Sequence, residues 1–117
     1  RDFYEAQGRA DLGRWLPRYL PGLPRQPRRI VFKRPSTLWG SLAPDATVSL
    51  DLALLLARPA AFEYVVVHEL CHLLHANHSP QFWQAVGARF PQWRDERAYL
   101  RSEGRALKGR LRQLLAG

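Results

Sequence analysis

The residues of this chain that could do chemistry are two histidines and a glutamate with the spacing H-E-x-x-H. His68 and His72 are four positions apart, and Glu69 directly follows the first of them. On a helix, this spacing places both imidazoles on one face, about one turn and ~6 Å of rise apart, so that both can bind one zinc ion. Glu69 would then lie where it can take a proton from a water at the metal. The motif indicates a zinc-dependent hydrolase, with peptide bonds as the favoured substrate.

The residues before the motif argue against the alternative, a solvated polar patch that binds no metal. Residues 60–67 are mostly apolar, so both histidines come at the end of a segment that should be largely buried. Burying imidazoles and a carboxylate is costly unless they are paired or bind a metal. The metal-binding interpretation is therefore favoured.

A catalytic zinc site usually has three protein ligands and one open position, and two further histidines could complete it. His75 would share the ligand face, but it stands seven residues beyond His68, which is ~10 Å along a helix axis. His78 can reach the metal if the helix ends at about residues 76–77 and the chain turns back. We therefore expect zinc to be held by His68, His72 and His78. In that arrangement His75 would be partly exposed or would contact the ligands.

The turn before His78 is predicted from the residues around it. Asn77 tolerates the left-handed conformation that often ends helices, and Ser79 and Pro80 are typical of the N-cap and first position of a new helix. The spacing H-E-x-x-H-x5-H equals that of the metzincins, but the position of their glycine is His75 here. The chain also has no methionine from which to form a Met-turn, so that class is disfavoured.

Length and composition are those of one small globular domain. The chain has 117 residues, of which 46% are hydrophobic, and it contains no apolar run long enough to cross a membrane. Cys71 is the only cysteine, so an internal disulfide is impossible, which fits a cytoplasmic protein. We expect a single domain over residues 1–117, with a basic helical tail at about 103–117.

The chain is strongly basic, with a formal net charge of +8 that comes mainly from arginines spread along its whole length. This charge makes nucleic acid a candidate partner beside the peptide or protein substrate. No run of basic residues is dense enough to mark a binding stripe, and the sequence does not indicate the oligomeric state.

The remaining pattern predicts an α+β fold, in which a sheet of about three short strands packs against the motif helix. The predicted elements are a helix over residues 2–20, strands at 29–34 (ending in a break at Pro35-Ser36), 37–42 and 47–50, and helices at 52–57, 59–77, 80–90, 92–102 and 105–115. Residues 43–46 have turn composition, so the second and third strands should form a hairpin. Gly40 within a strand predicts a bulge or a close backbone approach, and Gly104 should interrupt the last helix.

Four stretches, at residues 39–41, 48–51, 64–72 and 77–83, resemble the YgjP-like metal-dependent hydrolases, bacterial relatives of the SprT-like zinc metallopeptidases. The similarity extends from about residue 3 to residue 100. It implies a small zincin-like α+β domain in which His68, His72 and His78 hold zinc. It also implies that Glu69 is the catalytic residue. The chain departs from the family pattern at residue 42, where Leu42 replaces a frequent Cys, and at residue 51, where Asp51 replaces a frequent Asn.

Several functional alternatives remain open at the level of sequence. The same metal site could hydrolyse a small phosphoanhydride or nucleotide-type substrate, or the protein could be a DNA-associated protease. A scaffold with a structural zinc is less favoured, because structural sites usually have four ligands. The second group that stabilises the oxyanion in hydrolysis could come from His75, Tyr64, Arg97 or Tyr99, and the sequence does not choose among them.

Overall fold

The fold is known from a computed structural model, which describes residues 2–34 and 37–116. Its elements in chain order are α1 (Asp2–Tyr19), β1 (Arg29–Lys33), β2 (Gly40–Leu42), β3 (Thr47–Asp51), a 3-10 helix (Leu52–Leu56), α2 (Pro59–Cys71), α3 (Pro80–Arg89) and α4 (Trp93–Ala116). The predicted α+β class is confirmed. The break predicted at Pro35-Ser36 lies outside the described residues.

The three strands form one mixed sheet in the order β1-β3-β2. β3 is central, pairing in parallel with β1 and antiparallel with β2, so the predicted β2–β3 hairpin is confirmed. The hairpin turn closes through Ala46, which has a φ of 69°, and the Ala46 amide donates to the Ala43 carbonyl oxygen at 2.9 Å. β2 begins at Gly40 rather than at Thr37, and it is an edge strand.

Helix α2 lies at the centre of the core. Its first seven residues after the arginine at the N-cap are almost all apolar, and Pro59 occupies the first turn, where its missing N–H breaks no hydrogen bond. Phe62 of α2 meets Trp15 of α1 edge-to-face, with ring centroids 5.0 Å apart. The prediction that the histidine motif ends a buried segment is confirmed, because Val65, Val66 and Val67 are all buried.

The end of α2 differs from the prediction. The helix ends at Cys71, six residues before Asn77, and its last turn tightens into i to i+3 hydrogen bonds: the Leu73 amide donates to Leu70 and the Leu74 amide to Cys71, each at 3.0 Å. Among the described residues other than glycine, only Ala46 has a positive φ. The left-handed turn predicted at Asn77 is therefore wrong, because the chain leaves the helix through a tightened turn instead.

Helix α4 is continuous through Gly104, so the predicted interruption is wrong. Gly104 is buried, and a Cβ atom placed on it would lie 3.0 Å from Cζ2 of Trp39, which packs there. Leu107 and Leu111 of the second half are buried in the same core as α2. Glycine lowers helix stability by about 1 kcal/mol relative to alanine, and this close packing outweighs that local preference.

An ion pair between the half-buried Lys108 and the buried Asp51 also ties the second half of α4 to the sheet. The Lys108 ammonium lies 3.3 Å from a carboxylate oxygen of Asp51 and 4.3 Å from the centre of the Trp39 ring. The other Asp51 oxygen accepts from the Ala53 amide at 2.8 Å and caps the 3-10 helix. Asp51, one of the two departures from the family pattern, is thus matched by a lysine on α4. No helix in the described ranges has the length and apolarity needed to cross a membrane.

Candidate metal centre

Three histidines from two neighbouring elements come together at the end of α2. One ring nitrogen from each of His68, His72 and His78 lies within 4.8 Å of the other two. The ring centroids are 5.1 Å apart for His68 and His72, 5.2 Å for His68 and His78, and 4.8 Å for His72 and His78. This donor set fits a metal ion, because three imidazoles around one point are typical of zinc and related transition metals.

The start of α3 positions His78. The Ser79 hydroxyl oxygen accepts from the Phe82 amide at 3.2 Å, and Pro80 follows in the first turn, as the sequence predicted. The indole of Trp83 stacks against the His78 ring at a centroid distance of 5.8 Å. The cap fixes the direction in which the chain enters α3, and this direction turns His78 back toward α2.

The orientation of His72 follows from a backbone contact. Its Nδ1 lies 3.0 Å from the carbonyl oxygen of His75, and a carbonyl can only accept, so Nδ1 carries the proton. That leaves the Nε2 lone pair free for a metal ion. The Phe82 ring stacks on the same imidazole at 4.4 Å and holds its plane. His75 therefore contributes its carbonyl oxygen, while its ring is outside the cluster.

Glu69 is buried beside the first histidine. It is 4% exposed, and one of its carboxylate oxygens lies 2.8 Å from Nδ1 of His68. A carboxylate accepts here, so His68 donates from Nδ1 and keeps its other nitrogen for a metal. The same contact orients the carboxylate at the edge of the cluster.

The electrostatics of the cluster favour neutral imidazole at His78. Loss of water around the ring lowers the pKa of His78 below its ordinary value, and the neighbouring His68 and His72 lower it further. Neutral imidazole is the form that binds metal ions. Cys71 is not part of this chemistry: burial raises the pKa of its thiol to about 11, so it stays protonated.

A cavity of about 360 Å³ opens beside Glu69 and His68. Tyr64 and Glu69 of α2 lie on one side of it, Trp39 and Gly40 at the start of β2 on another, and Arg97 and Arg101 of α4 on a third. The cavity is therefore walled by the motif helix, the edge strand and the last helix. A substrate bound in it would lie next to the histidine cluster.

Gly40 lets the edge strand approach the glutamate. A Cβ atom on Gly40 would lie 2.9 Å from Cγ of Glu69 and 3.1 Å from Cγ1 of Val65, closer than carbon atoms normally pack. The close backbone approach predicted for this glycine is confirmed. It places the backbone at the start of β2 against the residue that the motif marks as a proton acceptor.

The structure distinguishes among the four candidates for the second group that stabilises the oxyanion. Tyr64 and Arg97 line the cavity, whereas the His75 ring does not. The Tyr99 hydroxyl oxygen accepts from the Arg58 amide at 3.2 Å, at the opposite end of α2, so it is far from the motif. Burial raises the pKa of Tyr64 to about 12, which keeps its phenol protonated and able to donate.

Sequence reasoning missed some residues of this region. Arg101 lines the cavity, although no role was predicted for it from the sequence. Its spacing of four from Arg97 is the signal that could have found it, since residues i and i+4 share a helix face. Phe82 and Trp83, for which no role at the site was predicted, stack on the rings of His72 and His78.

The fold and this cluster together define a small zincin-like α+β domain with a site suited to a metal ion. The family model of the YgjP-like metallopeptidase domain matches residues 1–103. The chain belongs to the YgjP-like metallopeptidase family, as the resemblance in its motifs indicated. Neither the search of the curated proteins nor the search of the solved structures found a match.

Proposed function

We propose that this protein is a zinc-dependent peptidase in which His68, His72 and His78 hold the ion and Glu69 is the general base. The observation that supports this most strongly is the position of a buried carboxylate at the edge of three converging imidazoles, beside an open cavity. Membership of a metallopeptidase family supports the peptide bond as the substrate.

The bound zinc ion would supply Lewis acidity, lowering the pKa of a water and polarising the substrate carbonyl. Glu69 accepts the proton of the attacking water and then passes it to the leaving amine. Its contact with His68 and the close backbone of Gly40 hold the carboxylate in one orientation. Tyr64 remains protonated and lines the cavity, which supports it as the donor to the developing oxyanion.

The edge strand β2 supports an extended mode of substrate binding. It runs for three residues from Gly40, and Gly40 lines the cavity. An extended peptide can add to such an edge through main-chain hydrogen bonds, which bind without regard to side-chain sequence. Side-chain preference would then come from the residues that line the cavity.

Glu69→Gln tests the general-base assignment. The variant should keep the fold and about one zinc per chain, because Glu69 is not a ligand, and it should lose ~10²–10⁴-fold in turnover on any peptide that the wild type cleaves. Zinc content by metal analysis and turnover on a peptide library are measured on the same preparation. Unchanged turnover would remove Glu69 from the mechanism.

His78→Ala, with His75→Ala as its matched control, tests the ligand set. His78→Ala should lose most of the zinc, whereas His75→Ala should retain it, since His75 contributes its carbonyl oxygen and not its ring. The opposite pattern would show that His75 is the third ligand.

A further inference from the structure

We infer that Arg97 and Arg101 are the specificity residues of the cavity, and that they select peptides with a carboxylate next to the bond that is cleaved. This inference rests on the proposed peptidase function and deepens it by naming a substrate class. Both residues lie on α4, four positions apart, so their side chains extend from one helix face.

The two arginines lie where the cavity opens. Both are exposed, and both line the 360 Å³ cavity that also contains Glu69. They also line a second cavity of about 260 Å³ together with Trp93 and Arg94. The same two arginines therefore border both cavities, and a substrate side chain that extends from the site of cleavage toward α4 would reach them.

The residues that line the cavity carry more positive than negative charge. Glu69 is the one acidic residue in the lining, and its carboxylate is buried and bonded to His68. Within the described ranges, no carboxylate lies at ion-pair distance from Arg97 or Arg101, whereas Arg18 and Arg58 each pair with a glutamate. The Arg97 guanidinium lies over the Trp83 ring, 5.5 Å from its centre, which restricts its position without neutralising it.

The chemistry of this arrangement favours a carboxylate. Guanidinium groups bind carboxylates through parallel, charge-assisted hydrogen bonds, and the neighbouring Trp39 and Leu100 side chains reduce competition from water. A lysine or arginine in the substrate would be repelled by two like charges. The carboxylate can come from an aspartate or glutamate side chain or from a free C-terminus, and the experiment must separate these two sources.

The test uses peptides that differ at one position beside the cleaved bond, with Glu, Gln or Lys there, each made with a free and an amidated C-terminus. At physiological ionic strength, the wild type should cleave the Glu peptide up to about fivefold faster than the Gln peptide in kcat/KM, as expected for ion pairs with exposed arginines. The Lys peptide should be the slowest. A preference that requires the free C-terminus would assign the pair to the terminal carboxylate.

Variants assign the preference to the two residues. Arg101→Gln and Arg97→Gln should each reduce the Glu-over-Gln ratio, and Arg101→Glu should favour the Lys peptide. Arg105→Gln, which removes an exposed arginine one turn further along α4 and outside the cavity lining, should leave the ratio unchanged. Peptide binding to the Glu69→Gln protein, measured by fluorescence anisotropy, should show the same order of affinity without any catalysis.

The outcomes distinguish the inference from the function on which it rests. If the wild type cleaves none of the peptides, the proposed peptidase function fails. If it cleaves the Glu, Gln and Lys peptides equally, or if Arg105→Gln changes the ratio as much as Arg101→Gln does, the inference alone is wrong. Inhibition by a short single-stranded DNA that disappears in Arg101→Glu would assign the pair to nucleic acid and would also overturn it.

Discussion

The substitution Gly40→Ala should displace the Glu69 side chain while it changes the stability of the fold only modestly. The added Cβ would lie 2.9 Å from Cγ and 3.1 Å from a carboxylate oxygen of Glu69, and 3.1 Å from Val65 Cγ1. Carbon atoms pack at about 3.5–4.0 Å, so the glutamate side chain must move by a large fraction of an ångström. Because Gly40 is held in the sheet by its pairing with Leu50, the Glu69 side chain should move before the backbone does.

The expected effects on stability and activity differ in size. Overpacking costs about 1–3 kcal/mol, and the reduced freedom of the unfolded chain returns about 0.4–1 kcal/mol, since the φ of Gly40 is not positive. The free energy of unfolding should therefore fall by about 0–2.6 kcal/mol. A catalytic group displaced by ~1 Å loses about 100-fold in turnover, so kcat/KM should fall by about that factor.

The assay combines denaturant unfolding, zinc content and peptide turnover on Gly40→Ala and on Gly13→Ala. A Cβ on Gly13 has no atom within 4 Å and lies on a helix, so this control should gain about 0.5–1 kcal/mol and keep full turnover. Gly40→Ala should retain its zinc. Full turnover in a folded Gly40→Ala protein would refute the assignment of Gly40 as the residue that makes room for Glu69.

Three further predictions concern the elements that support the site. Ser79→Ala removes the cap of α3, so it should lower the free energy of unfolding by ~0.5–2 kcal/mol in a thermal melt and weaken zinc affinity. An unchanged melt and an unchanged affinity would contradict the role of this cap. Lys108→Met removes the ammonium that pairs with the buried Asp51 carboxylate and should lower the free energy of unfolding by about 3–5 kcal/mol. The same change in an Asp51→Asn background should cost far less. Additive losses in this double-mutant cycle would argue against the ion pair. Burial and the hydrogen bond to Glu63 raise the pKa of Tyr19 to about 12, so the stability that this phenol contributes is complete below its ordinary pKa of 10.0 and is lost as pH rises toward 12. Tyr19→Phe should show a smaller loss than the wild type between about pH 9 and about pH 11 in denaturant titrations, and parallel curves would contradict the assignment.

The reactive residues of the site could be predicted from short stretches of the sequence. His68, Glu69 and His72 lie within one turn and a half of a helix, and helix geometry alone determines that they are neighbours. The cap at Ser79 is equally local, because the hydroxyl bonds an amide three residues on. The family resemblance rested on the same short stretches, and the family match confirmed it.

The boundaries of the helices were less predictable. The end of α2 was expected at Asn77, where a residue type permits a left-handed turn, but the helix ends at Cys71. A residue that tolerates a conformation does not require it, and the tightened turn after Cys71 provides the hydrogen bonds by another route. The convergence of His78 with the other two histidines was expected, although the path that the chain takes to it was not.

What the sequence by itself determined is the set of reactive groups, the α+β class and the local caps, because each depends on residues within a few positions of one another. Only the tertiary structure decided that Gly40 faces Glu69, that Arg101 joins the cavity, and that α4 continues through Gly104. These features depend on contacts between distant parts of the chain, such as Trp39 packing on Gly104. Such contacts cannot be predicted from local helix propensity, which depends only on neighbouring residues. At Gly104 their packing energy exceeds the roughly 1 kcal/mol by which a glycine disfavours a helix.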